Sequence, residues 1–203
     1  MQLKHLPLVC LGVAAVGAMA AVTLDKFQEA SLLPGNGLAH NASTEKVIYS
    51  LGQKNTLPMR AQGDVYNVPV TFSPTNEFFQ ECTVLDLNED GKKWQIKDHE
   101  GENYFTYQYG NEDADDWLIF PGMNLTAGSY KITTDYHTRN YPENFKLCIG
   151  NDVTPESMSV EVFRRENYNN STPVTESFTV EIPASGVWHL GLYAYSEANK
   201  FYI

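Results

Sequence analysis

The sequence predicts an all-β fold, a sandwich or barrel of short antiparallel strands. Three observations carry that reading. From Asp64 onward apolar and polar residues alternate with a period of two. The runs are rich in β-branched and aromatic side chains, and clusters of Gly, Pro, Asn and Asp bound them at short intervals. A hydrophobic content of 42% and a charged content of 19% fit a folded chain of 203 residues, with room for one domain and some extra length.

The N-terminal element is separate from that pattern. Lys4 and His5 precede the apolar run LPLVCLGVAAVGAMA, which closes on the small-residue pattern Ala18-Met19-Ala20. This is the make-up of a secretory signal, residues 1–20, cleaved after Ala20. The run is rich in Ala and Gly and short for a bilayer span. A lipid-carrying Cys10 is a weaker reading, because Val9 stands where a small residue is expected and the apolar run continues past it. No second apolar run long enough to cross a bilayer follows. The mature chain is therefore expected to carry no transmembrane segment and to be secreted or held at the cell surface. Only Lys4 is lost from the 14 basic side chains on cleavage, which leaves 13 against 25 acidic ones. Such a surface repels nucleic acid and anionic membranes.

Residues 21–63 read as a mostly irregular leader. TLDKFQEASLL suits one short helix with Leu24, Phe27 and Leu32 on a face. PGNG, HNAST and GQKNT are turn or linker chemistry, and KVIYSL suits a short strand.

Ten strand-like runs follow: VYNVPVTF, ECTVLDL, KWQIK, NYFTYQY, DWLIF, SYKITTDYH, NFKLCI, SMSVEVF, SFTVEI and GVWHLGLYAY. Tyr130, Ile132, Thr134 and Tyr136 share one face of their run, and Phe178, Val180 and Ile182 share another. Trp188, Leu190, Leu192 and Ala194 form a third, as half-buried strands require. MNLTAGS and IPASGVW read as connecting turns. TPESM suits one helical turn, with Thr154 as cap and Pro155 at its first position. The mature cysteines, Cys82 and Cys148, fit a disulfide of an exported protein or two buried thiols.

The stretch ADDWLIFPGMNLTAGSYKITTDYHTRNYPENFKLCIG resembles the cleaved-adhesin, or choice-of-anchor J, domains of secreted and surface proteins from Bacteroidota. These include the haemagglutinin-adhesin regions of gingipain-type proteases. FFQECTVLDLNEDGKKW is similar to the family's W-x-x-x-D-x-(D/N)-x-D-G-x-x-W turn, and DDWLIFPGMNLTAG to its D-(D/N)-W-L strand. The likeness covers residues 64–203. It implies a jelly-roll β-sandwich of the MAM or galactose-binding type, without catalysis, in an adhesin or accessory binding role. Two departures stand out. Cys82 lies where members often carry Trp, and the chain ends at KFYI, where the family continues into an L-D-D-I strand. The resemblance therefore leads us to expect a piece of a longer protein.

DLNEDGKKW places Asp86, Asn88 and Asp90 in alternation before Gly91. That is the front half of an EF-hand loop, but position twelve is Lys97 and the flanks read as strand, so it is no EF-hand. Alternating oxygens at a tight turn suit a calcium ion; an Asx-rich turn between strands accounts for the same residues. The resemblance implies a structural calcium there. GNEDADDW adds Glu112, Asp113, Asp115 and Asp116, which read as a solvated loop, since adjacency in sequence does not place two carboxyls across a cleft. No nucleophile elbow, P-loop, dinucleotide fingerprint or cysteine-protease motif is present.

The remaining candidates are aromatic. Tyr136, Arg139 and Tyr141, and further on Tyr193 and Tyr195, suit stacking on a sugar or anchoring a protein partner, while alternating tyrosines are equally at home inside a sheet. The function expected is a non-catalytic, exported binding domain for a glycan or a host extracellular protein. The alternatives are a structural spacer and the non-catalytic front end of a secreted protease or glycosidase.

Overall fold

The computed structural model describes residues 16–26, 65–99, 101–108, 110–139 and 141–198, and strands dominate them. In chain order they are β1 (Val16–Lys26), β2 (Tyr66–Asn67), β3 (Val70–Phe72), β4 (Thr83–Asp86), β5 (Gln95–His99), β6 (Glu102–Tyr107) and β7 (Asp116–Ile119). They continue with β8 (Met123–Leu125), β9 (Gly128–His137), β10 (Glu143–Gly150), β11 (Val160–Tyr168), β12 (Val174–Ile182) and β13 (Gly186–Ala194). The first sheet runs β12-β9-β1-β6-β5, with β3 also on β1. The second runs β11-β10-β13-β7-β4, with β8 on β13 and β2 on β8. The molecule is an all-β sandwich.

The alternation in the sequence decides which faces meet. Tyr130, Ile132, Thr134 and Tyr136 of β9 are all buried, as are Val180 and Ile182 of β12 and Trp188, Leu190, Leu192 and Ala194 of β13. All but Thr134 join one hydrophobic core cluster between the sheets. At its centre Phe72, Phe78, Phe105 and Phe120 pack ring on ring, Phe72 to Phe78 at 5.1 Å and Phe105 to Phe120 at 5.1 Å. Each such pair contributes about 0.5–1.5 kcal/mol beyond its buried area. His189, on the opposite face of β13, turns its Nδ1 to the Phe120 carbonyl at 2.8 Å.

Several expectations need correction. Residues 23–26 are strand, not helix: Val22 and Leu24 are fully buried between β9 and β3, and that pairing overrides the local amphipathic pattern. The rest of the expected helix, and the strand at KVIYSL, lie outside the described residues. ECTVLDL is split. Asn76–Glu81 forms a short helix, α1, whose cap Thr75 accepts from the Phe78 amide at 3.1 Å, and strand begins only at Thr83. VYNVPVTF is likewise two strands, divided at a cis Val68–Pro69 bond. MNLTAGS, expected as a turn, contains β8. The turn at Pro155–Ser157 is present as a single 3-10 turn, though Thr154 makes no side-chain cap bond. Cys82 and Cys148 are both free thiols. Among the described residues, no helix is long and apolar enough to cross a membrane.

Candidate functional site

The acidic turn sits at one end of the sandwich, and pairing assembles it from distant sequence. Asp86 closes β4 directly opposite Asp116, the first residue of β7. From Asp86 the chain turns through Glu89, at φ 56°, and Gly91, at φ 77°. The Gly91 amide donates to Asp86 Oδ2 at 3.1 Å and the Lys92 amide to Asp90 Oδ1 at 2.6 Å. Asp116 Oδ2 accepts from the Tyr107 hydroxyl at 2.8 Å and the Asp115 amide at 3.2 Å. Each carboxylate therefore has one oxygen satisfied. The other three, Asp86 Oδ1, Asp90 Oδ2 and Asp116 Oδ1, are buried without a hydrogen-bond partner.

That arrangement is electrostatically costly. Burial, with Asp86 and Asp90 beside it, pushes Asp116 up to about 6 against the pull of its two donors. Burial and the Asp116 carboxylate push the Tyr107 hydroxyl up as well, so it stays a donor. Gly110 lies against Asp90 so closely that a Cβ there would strike Asp90 Oδ2. Among the described residues, no set of three His, Cys, Asp or Glu side chains already stands in a metal-holding arrangement. The fit to a hard cation rests on the three orphaned oxygens, because a calcium ion takes six to eight oxygens, carboxylate and carbonyl alike. Asn88 fits less well. Its amide donates to the Asp113 carbonyl at 2.6 Å and its Oδ1 accepts from the Asp90 amide, so it braces the loop.

The neighbouring acidic loop is held as well as solvated. Asp113 Oδ1 accepts from the Ala198 amide at 2.6 Å, and the Ala114 amide donates to the Ser196 carbonyl at 2.8 Å. Asp116, read from sequence as part of a solvated loop, is completely buried because it opens a strand whose next residues are all core. The signal was its place immediately before WLIF.

The aromatic candidates separate into three places. Tyr136 is core: 1% exposed, stacked on Phe163, with its hydroxyl accepting from Arg165 Nε at 2.7 Å. Its alternation partners face inward with it. Tyr141, 42% exposed, and half-buried Arg139 stand on the β9–β10 connection. Tyr193 and Tyr195 do come together, on the outer face of the second sheet. There register aligns Leu85, Trp117, Tyr193, Lys146 and Arg164 in one row across five strands.

Trp117 stacks on Tyr193 at 4.5 Å and Tyr193 on Tyr195 at 5.3 Å. Lys146 Nζ lies 5.3 Å from the Tyr193 ring, and the Arg164 guanidinium 5.8 Å from Tyr195. The Tyr193 hydroxyl donates to Asp115 Oδ1 at 2.8 Å, which ties this face to the acidic end. Trp117, Lys146 and Arg164 were not singled out from sequence; they lie on three different strands, and only register joins them.

No known protein family matches the chain, and no curated protein matches it. Among solved structures, it is similar to the K1 cleaved adhesin domain of Lys-gingipain from Porphyromonas gingivalis W83. The TM-score is 0.43 and the identity 12%, over 58% of this chain and 82% of that one.

Proposed function

We propose that the protein is an exported, non-catalytic binding module of the adhesin type. In this reading it recognises a glycan or a host extracellular protein through the outer face that carries Tyr193 and Tyr195. The observation that carries the reading is the stacked pair Tyr193–Tyr195, flanked by Lys146 and Arg164 and backed by Trp117, which is itself buried. Stacked rings are pre-organised, so little side-chain freedom is lost when a ligand docks on them. Their cationic rim supplies hydrogen-bond donors to a polar partner.

A structural calcium belongs to the same reading, held by Asp86, Asp90 and Asp116 with Asn88 bracing the turn. It would neutralise three adjacent carboxylates and set the loop that bears Asp115 under Tyr193. The test is an array of glycans and matrix proteins, probed with wild type and with the Tyr195→Ala and Arg164→Ala variants, in calcium and in EDTA. Specific signal that both variants lose supports the reading. Signal unchanged in both variants removes this face, and no signal in any buffer removes the binding module.

A further inference from the structure

Glu143 opens β10 in line with the core residues Phe145 and Leu147, and it is only 6% exposed. Its Oε2 accepts from the Ser196 hydroxyl at 2.5 Å, while among the described residues no hydrogen bond reaches its Oε1. Burial pushes the carboxyl up to about 7, and no cation stands among the groups that act on it. Beside the carboxylate lies a half-open cleft of about 10 Å³, room for one water-sized group. Trp94, Tyr107 and Phe145 wall it, and Glu143 and Ser196 lend it polar atoms.

Register sets that cleft beside the acidic end. Phe145 is opposite Ala194, Ala194 opposite Asp116, and Asp116 opposite Asp86, in one row across β10, β13, β7 and β4. Tyr107 belongs to both places, since its ring walls the cleft and its hydroxyl donates to Asp116. Ser196 does as well: its carbonyl accepts from the Ala114 amide, in the loop that carries Glu112, Asp113 and Asp115.

From these observations we infer that the cleft is a receptor for a primary ammonium group, supplied by a lysine side chain of a partner protein. A buried carboxylate with an open oxygen calls for a cation that donates hydrogen bonds. The space admits a compact ammonium and excludes the wider, planar guanidinium of arginine. Aromatic walls take the apolar stem of a lysine and attract the charge at its tip. The carboxylates alongside draw a basic partner toward the cleft before contact. A receptor role also accounts for a carboxyl displaced so far from its ordinary ionisation, because such groups concentrate at sites of function. The cleft is separate from the outer face that carries Tyr193 and Tyr195, so either can fail without the other.

The test titrates the isotopically labelled full chain with Nα-acetyl-lysine amide and follows the Trp94 indole N–H resonance by NMR. It is run at pH 8, where a carboxyl held near 7 is ionised. Nα-acetyl-norleucine amide, which has the stem without the ammonium, and Nα-acetyl-arginine amide are titrated alongside. The expected result is a saturable shift with the lysine probe, and binding at least about tenfold weaker for the other two. Glu143→Gln keeps the shape of the side chain and should weaken the lysine probe by the same factor. Its spectrum without probe shows whether it is folded, and Ser196→Ala, which leaves the carboxylate in place, should still bind. An unmoved resonance overturns the site and leaves the cleft to water. Equal binding of lysine and norleucine probes overturns the ammonium, and equal binding of arginine overturns the size argument. A shift unchanged in Glu143→Gln but lost in Asp86→Asn overturns the cleft and places the cation at the acidic turn.

Discussion

Tyr107 and Asp116 form a buried hydroxyl–carboxylate pair at 2.8 Å, and that bond occupies only one of the two carboxylate oxygens. Trp94 closes the pair from the side. Its ring is 5.8 Å from Tyr107, and its Nε1 donates to the Asp116 carbonyl at 3.2 Å. A strand start, a strand end and a loop aromatic thus share one polar knot at the edge of an apolar core. Replacing Tyr107 with Phe keeps the ring and removes a hydrogen bond to a charged, buried group. The expected loss is about 1.5–3 kcal/mol in urea unfolding. An unchanged midpoint would mean that water replaces the hydroxyl.

Calcium should stabilise the folded chain. At a hundredfold excess over its dissociation constant the gain is about 2.7 kcal/mol, or roughly 5–10 °C in melting temperature. Asp116→Asn should abolish that gain. In EDTA, by contrast, the same variant should be about 1–3 kcal/mol more stable than wild type, because a buried carboxylate among like charges is replaced by a neutral amide. Melting both proteins in calcium and in EDTA gives all four values; equal responses to calcium would remove Asp116 from the site.

Glu143 predicts the pH dependence. It is buried on β10, and burial pushes it up to about 7 despite the hydroxyl of Ser196 donating to its Oε2 at 2.5 Å. A carboxyl whose folded value exceeds its unfolded value of about 4.3 binds protons more tightly in the folded state. Its contribution is complete below about pH 4.3 and is lost as pH rises through about 7. The loss is on the order of 3 kcal/mol. Glu143→Gln should flatten that fall and melt higher than wild type at pH 8. A parallel decline in both proteins would assign it to other groups.

Gly150 ends β10 under the loop that carries the 3-10 turn. A Cβ there would stand 2.5 Å from the Ser157 carbonyl oxygen and 2.9 Å from the Met158 amide nitrogen, backbone atoms that cannot rotate away. Gly150→Ala should cost about 1–3 kcal/mol. The same displacement would lift Met158 from Trp117, Ile119 and Cys148, so near-ultraviolet circular dichroism from Trp117 should change with it.

The sandwich was legible because its strands are half-buried, and a period of two survives in a single sequence. Phe178, Val180 and Ile182 show this, as do the four inward residues of β13. Asp86 and Asp90 were legible because a tight oxygen-rich turn needs few residues and leaves a local signature. Asp116 was read as solvated because its neighbours Asp113 and Asp115 mark a loop, although it stands directly before the core run WLIF and opposite Asp86, thirty positions earlier. Tyr136 was misplaced for a related reason. A tyrosine facing the core and one facing solvent look alike until the inward face is fixed by Phe163 and Arg165 across the sandwich. The strand at residues 16–26 was hidden by its resemblance to an export signal; apolar residues serve both purposes.

The two bonds from residues 196–198 to the acidic loop give the molecule a mechanical link. Tension on the chain beyond Ala198 would meet the bonds to Asp113 and Ala114, and at Ser196 those to Glu143 and Asn144 of β10. Asn88 holds the Asp113 carbonyl, so slack in that loop passes directly into the oxygen-rich turn.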